Sequence, residues 1–164
     1  MIVNKSKNAV NALLSEYRKV IMELQNVIQN ISDEKLVLAI TPETNNEDCK
    51  SIQTILAHVV NSGYAYCVYI RNLRDATIKR PKKEIRKSVE EYKEDLNNVL
   101  LYTYETFDTI YDNDLENFNE SKKIKTSWGQ IYDIEQLFEH AIVHVLRHRR
   151  QIENFKTTLE IYTN

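Results

Sequence analysis

Apolar residues recur along this chain at steps of three and four, and four long stretches hold that rhythm. In the first, Val10, Leu13, Leu14, Tyr17, Val20, Ile21, Leu24, Val27, Ile28 and Ile31 fall on one side of an amphipathic helix. Ser32-Asp33-Glu34 ends that helix or starts a short turn, and the polar run from Thr41 to Asn46, which carries a proline, predicts a loop. A second helix is predicted from Ser51, a good N-cap, to about Arg74, with Ile52, Ile55, Leu56, Val59, Val60 and Tyr66 on its buried side. The charged segment Lys79-Arg80-Pro81-Lys82-Lys83-Glu84 breaks the pattern and forms a connection. A third helix opens at Ser88, with Glu91 completing a capping box, and continues through Leu96, Val99, Phe107 and Ile110. Residues 112–126 are polar and predict a link. The last helix is expected to open with another capping box, Ser127 with Gln130, placing Trp128 at its start to staple that end or line a pocket. Its inward stripe would run from Ile131 and Ile134 through Phe138, Ala141 and Val145 to Ile152 and Phe155. The fold class this predicts is all-α, a four-helix bundle, occupying residues 1–164 as a single domain.

Composition narrows the picture without changing it. With two Gly and two Pro in 164 residues, long uninterrupted helices are favoured over a turn-rich sheet architecture. A net charge of -2 gives no general drive toward nucleic acid or an anionic membrane, and neither is expected as a partner. No apolar run approaches membrane-spanning length, and the first residues do not open a signal peptide. Cys49 and Cys67 form no CxxC motif and predict free thiols in a reducing, cytoplasmic setting.

The chemistry concentrates in the histidines. Of four in the chain, His140, His144 and His148 follow one another at four-residue steps on the last helix, and His58 lies in the apolar run of the second. Imidazoles four residues apart stand one above the other on a helix face, the geometry a divalent metal requires of one helix. His144 and His148 fall among Ala141, Val145 and Ile152, so both face inward. The plain alternative is that each is a core histidine bonded to a tyrosine, serine or carboxylate. Around His58, the small side chains of Thr54, Asn61, Ser62 and Ala65 leave room for an ion, water or substrate atom. Three neutral imidazoles with one open position match a catalytic rather than a closed metal site. His140, turned about 40° from His144 by helix geometry, is placed at the rim or behind the ligands rather than as a fourth ligand. There is no His-Glu-x-x-His and no Glu-x-x-His, which argues against a zincin protease and a di-iron bundle. No inward carboxylate pair is evident, so no catalytic base is assigned.

Two segments carry a family resemblance. Ser51-Ile52-Gln53-Thr54-Ile55-Leu56-Ala57-His58-Val59 is similar to the ligand-bearing start of the second helix in the DinB-like superfamily. His144-Val145-Leu146-Arg147-His148-Arg149-Arg150-Gln151-Ile152 resembles that family's His-x-x-x-His-Arg-Gly-Gln-Ile signature, with Arg150 in place of the usual glycine. The resemblance implies a metal-binding bundle with a long crossover between helices 2 and 3, often a homodimer. It maps the metal ligands onto His58, His144 and His148, with zinc or nickel as the expected ion. It also implies thiol-transferase or hydrolase chemistry on a small-molecule substrate, with a low-molecular-weight thiol as a further cofactor. The rival expectation is a non-catalytic bundle whose metal is structural or sensing. Arg147, Arg149 and Arg150 flank the ligands. Some of them are candidates to hold a substrate carboxylate, and they equally suit a helix C-terminus. The basic run from Lys79 to Lys83 is expected to be a solvated crossover or a guide for an anionic ligand.

Overall fold

The computed structural model describes residues 6–41, 43–74 and 77–160. Four long helices dominate it: α1 (Asn8–Ile28), α3 (Ile52–Asn72), α4 (Val89–Phe107) and α6 (Ile134–Thr158). Two one-turn helices, α2 (Asp33–Leu36) and α5 (Asp112–Leu115), two 3-10 turns (Glu47–Cys49 and Glu120–Lys122) and a two-stranded antiparallel hairpin of β1 (Ile124–Lys125) and β2 (Ile131–Tyr132) complete the regular elements among the described residues. Helix α1 packs on α4 and α6, and α3 packs on the same two, so the four apolar stripes meet in one core. Tyr17, Phe107 and Phe138 link α1, α4 and α6 through ring contacts of 5.0 and 4.5 Å. At Gly63 α3 lies close against its neighbours: a Cβ there would lie 2.5 Å from Val99 Cγ1 and 3.0 Å from the Tyr17 hydroxyl.

The predicted helix starts at Ser51 and Ser88 are both present. Ser51 Oγ accepts from Thr54 N at 3.1 Å while Thr54 Oγ1 accepts from Ser51 N at 3.1 Å. Ser88 and Glu91 form the reciprocal box, at 3.3 and 3.0 Å. Helix α1 lacks a cap from its own N-terminal residue. The carboxylate of Asp112 serves instead, accepting from the backbone of Asn8 and Val10 at 2.9 and 3.0 Å. Ser32 starts α2 rather than simply ending α1, accepting from Lys35 N at 3.3 Å.

The last helix begins later than the pattern predicts. Its cap is Asp133, which accepts from Gln136 N at 2.9 Å, and not Ser127. Ser127 and Gln130 sit in the turn of the hairpin, closed by Thr126 N donating to Gln130 O at 2.9 Å and by Gly129 at φ +89°. The link expected over residues 112–126 therefore contains α5 and β1, and Ile131, expected inward, is a strand residue 46% exposed. Trp128 lies on the hairpin turn and not on the helix.

The connection from α3 to α4 holds no helix among its described residues, and it is fastened to the core rather than free. The Asn72 side chain pairs with the backbone of Ile78 in both directions, at 2.9 and 3.0 Å. Arg86 grips Asp95 with two nitrogens at 2.8 and 3.0 Å, and its carbonyl accepts from Gln53 Nε2 at 2.7 Å. Lys83 forms an ion pair with Asp48. Of the basic run, Lys79, Arg80 and Lys82 are exposed as expected, whereas Lys83 is tied down, as is Arg86 beyond it.

Candidate metal centre

Helix α3 carries His58 and helix α6 carries His144 and His148, and the packing of α3 against α6 brings all three together. One ring nitrogen from each lies within 4.8 Å of the others. His58 Nε2 and His144 Nε2 are 2.9 Å apart, and the His148 ring stands 5.0 Å from that of His58 and 4.5 Å from that of His144. Bonds of ~2.0–2.1 Å to a tetrahedral ion set ligand nitrogens ~3.3 Å apart, so small side-chain adjustments would close this trio on one ion.

The outer nitrogens reinforce that reading of the donor set. Asp48 Oδ2 accepts from His58 Nδ1 at 3.0 Å, and Gln151 Oε1 accepts from His148 Nδ1 at 3.1 Å. An acceptor on Nδ1 fixes the proton there and leaves the Nε2 lone pair for the centre, the arrangement in which ligating imidazoles are held. His144 must then donate its Nε2 proton to His58, and its Nδ1 is buried with no hydrogen-bond partner. An orphaned nitrogen of this kind makes a poor core hydrogen-bonding arrangement. Three neutral imidazoles with two of them oriented from behind make a good donor set for a divalent ion.

Burial keeps the imidazoles neutral. It pushes His144 down to about 3 and His148 down to about 4, with the neighbouring histidines adding to the shift. His58 is also lowered by burial, partly offset by the charge of Asp48. Burial would raise Asp48, but Lys83 and His58 together outweigh it and hold the carboxylate below its ordinary range.

Asp48 and Lys83 were not foreseen from the sequence. Asp48 belongs to a 3-10 turn over Glu47–Cys49, started by Asn46, whose side chain accepts from Asp48 N at 3.1 Å. Its position just ahead of the Ser51 cap was the available signal. Gln151 lay inside the motif itself, one turn after His148. Neither cysteine joins the trio. Cys49 Sγ reaches Gln151 at 3.9 Å, and Cys67 is buried against Thr103.

His140 stands outside the trio. Its ring stacks on Trp128 at 5.5 Å and on His144 at 6.3 Å, both with 22° between planes, and Tyr66 packs edge-on against both histidines at 5.8 Å. Arg147 is exposed. Arg149 turns the other way, forming ion pairs with Glu23 of α1 and, at 3.5 Å, with Glu153. An open cleft of about 240 Å³ adjoins His58 and is walled by Tyr66, Tyr69 and Trp128.

No helix of the described residues is long and apolar enough to cross a membrane. A comparison with curated proteins finds no match. The DinB family model matches residues 3–154, nearly the whole length and all four histidines, and the chain belongs to the DinB family.

Proposed function

We propose that this chain is a divalent-metal protein in which His58, His144 and His148 hold the ion, zinc or nickel, and in which the adjoining cleft admits a small-molecule substrate. The observation that carries this reading is the convergence of three neutral imidazole nitrogens within 4.8 Å on two packed helices. Asp48 and Gln151 would hold the rings of His58 and His148 from behind. A bound divalent ion supplies Lewis-acid activation, bringing a coordinated thiol or water toward deprotonation near neutral pH. On this reading the protein is a thiol transferase or a hydrolase, the chain's part being to orient the ligands and to shield the reacting group between Tyr66 and Trp128. The pairing of α1 and α3 with α4 and α6 supports reading the fold as a four-helix bundle whose long crossover runs from α3 to α4.

A second reading, a structural or sensing metal without turnover, draws on one observation. Both oxygens of Asp48 are engaged, by His58 and by Lys83, so the carboxylate beside the trio is not a free base.

Elemental analysis of untagged protein, wild type beside His58→Ala and His148→Ala, tests the site. Near-stoichiometric metal in the wild type, lost in both variants, is the expected result. Wild-type protein that holds no ion even after reconstitution overturns it. A screen of the loaded protein with thiol–acceptor pairs and esters then separates the readings, since the structural one predicts bound metal with no turnover.

A further inference from the structure

The cleft beside His58 continues along α3. The portion walled by Tyr66 and Trp128 shares Ala65, Tyr69, Arg80 and Ser127 with a second hollow of about 300 Å³ that reaches Val68 and Asn72. Trp128 is built into this wall from two sides. Its ring packs edge-on to Tyr66 and Tyr69 at 6.3 and 5.9 Å and stacks on His140. The Tyr69 hydroxyl accepts from Ser127 N at 2.8 Å, which fixes the hairpin turn against α3. Trp128 is nonetheless 44% exposed, a large aromatic face packed on its neighbours and left open along the groove.

Charge along the groove is one-sided. Asp48 is the acidic side chain lining it, and the Lys83 ammonium already neutralises that carboxylate. Arg80 lines both hollows and forms no ion pair among the described residues. A guanidinium with no hydrogen-bond or ion-pair partner among the described residues, set beside a flat aromatic wall, suits one kind of ligand: an anionic group joined to a planar or apolar body.

We propose that this groove binds small organic anions, with the anionic group on Arg80 and a flat apolar body against Trp128, Tyr69 and Tyr66. The metal-site reading enters only in saying which end of the ligand reacts, the end toward His58. The binding preference itself belongs to the groove.

The single tryptophan of the chain is the reporter. Fluorescence of Trp128 is titrated with 3-phenylpropionate and with its neutral counterpart 3-phenylpropionamide, in metal-free and in zinc-loaded protein. The acid is expected to change the emission saturably in both forms and to bind more tightly than the amide. Arg80→Gln should weaken the acid by about tenfold, the scale of one charge-assisted hydrogen bond, and leave the amide unchanged. Arg80 is exposed, so this variant keeps the fold, and a thermal melt verifies it. Equal binding of acid and amide, an acid preference that survives Arg80→Gln, or no saturable change overturns the proposal. Binding of the acid only when zinc is present, indifferent to Arg80, also overturns it, because the carboxylate would then sit on the metal. Success in metal-free protein stands whatever the elemental analysis gives, so failure of the groove and failure of the metal site are told apart.

Discussion

At the scale of single residues, the site depends on what stands behind each imidazole. Asp48 is the acceptor that fixes the His58 tautomer, and it is itself held by Lys83 from the connection between α3 and α4. Outer partners of this kind are worth about 10–100-fold in metal affinity. Asp48→Ala is therefore expected to weaken zinc by a factor in that range in a chelator competition, with little change in the melting temperature of the metal-free protein. Unaltered affinity in Asp48→Ala would show that the carboxylate does not orient His58. The histidines also give stability a pH dependence of known sign. His144 and His148 titrate at about 3 and about 4 when folded, below the unfolded imidazole value of about 6.5, so the unfolded chain binds more protons between those limits. Their contribution is complete above pH ~6.5 and is lost as pH falls toward 4, with a slope of up to ~1.4 kcal/mol per pH unit for each histidine. Urea titrations of metal-free protein from pH 7 to pH 4 should show that fall, and His148→Asn should flatten it. A flat profile in the wild type would mean that the imidazoles are not held neutral.

At the scale of the elements, what could be read in the sequence was what is local. The cap at Ser51 and the box at Ser88 involve residues three apart, and the His144–His148 face follows from four-residue spacing alone, so each survived folding unchanged. The start of α6 did not. Ser127 and Gln130 have the spacing of a cap, but the pairing of Ile124 with Tyr132 and the positive φ of Gly129 commit them to a hairpin. That decision rests on strand pairing and turn backbone, to which a three-residue spacing is blind. Asp48 and Lys83 were hidden for a related reason: loop residues carry no period, and they meet only because the connection folds back over α3. The close approach at Gly63 was equally invisible, and it makes a prediction at this scale. Alanine in a helix gains about 1 kcal/mol over glycine, yet a Cβ 2.5 Å from Val99 Cγ1 overpacks the contact, which typically costs about 1–3 kcal/mol. Gly63→Ala should therefore lower the melting temperature. A higher one would show that Val99 turns away without cost.

At the scale of the whole molecule, the proposed ion would do more than complete a site. Its ligands come from α3 and α6, elements separated in sequence by the connection, α4 and the hairpin, and His58 extends the linkage through Asp48 to Lys83. The unfolded chain has no such donor set, since His58 and His144 are 86 positions apart and meet only in the fold. Binding to the native state alone stabilises it by RT ln(1 + [L]/Kd), ~2.7 kcal/mol at a free concentration one hundred times Kd. For a chain of this length that corresponds to a rise of roughly 5–11 °C in melting temperature. Zinc added to stripped wild-type protein should produce such a rise, and a chelator should reverse it. His148→Ala, tested for a cooperative melt of its own, should show none of it. Because burial holds His144 and His148 unprotonated down to about 3 and about 4, protons compete for these nitrogens only near those values, so the zinc-dependent rise should largely persist from pH 7 to 5 and shrink as the pH approaches 4. A zinc effect that persists in His148→Ala would place the stabilising ion somewhere other than between these helices.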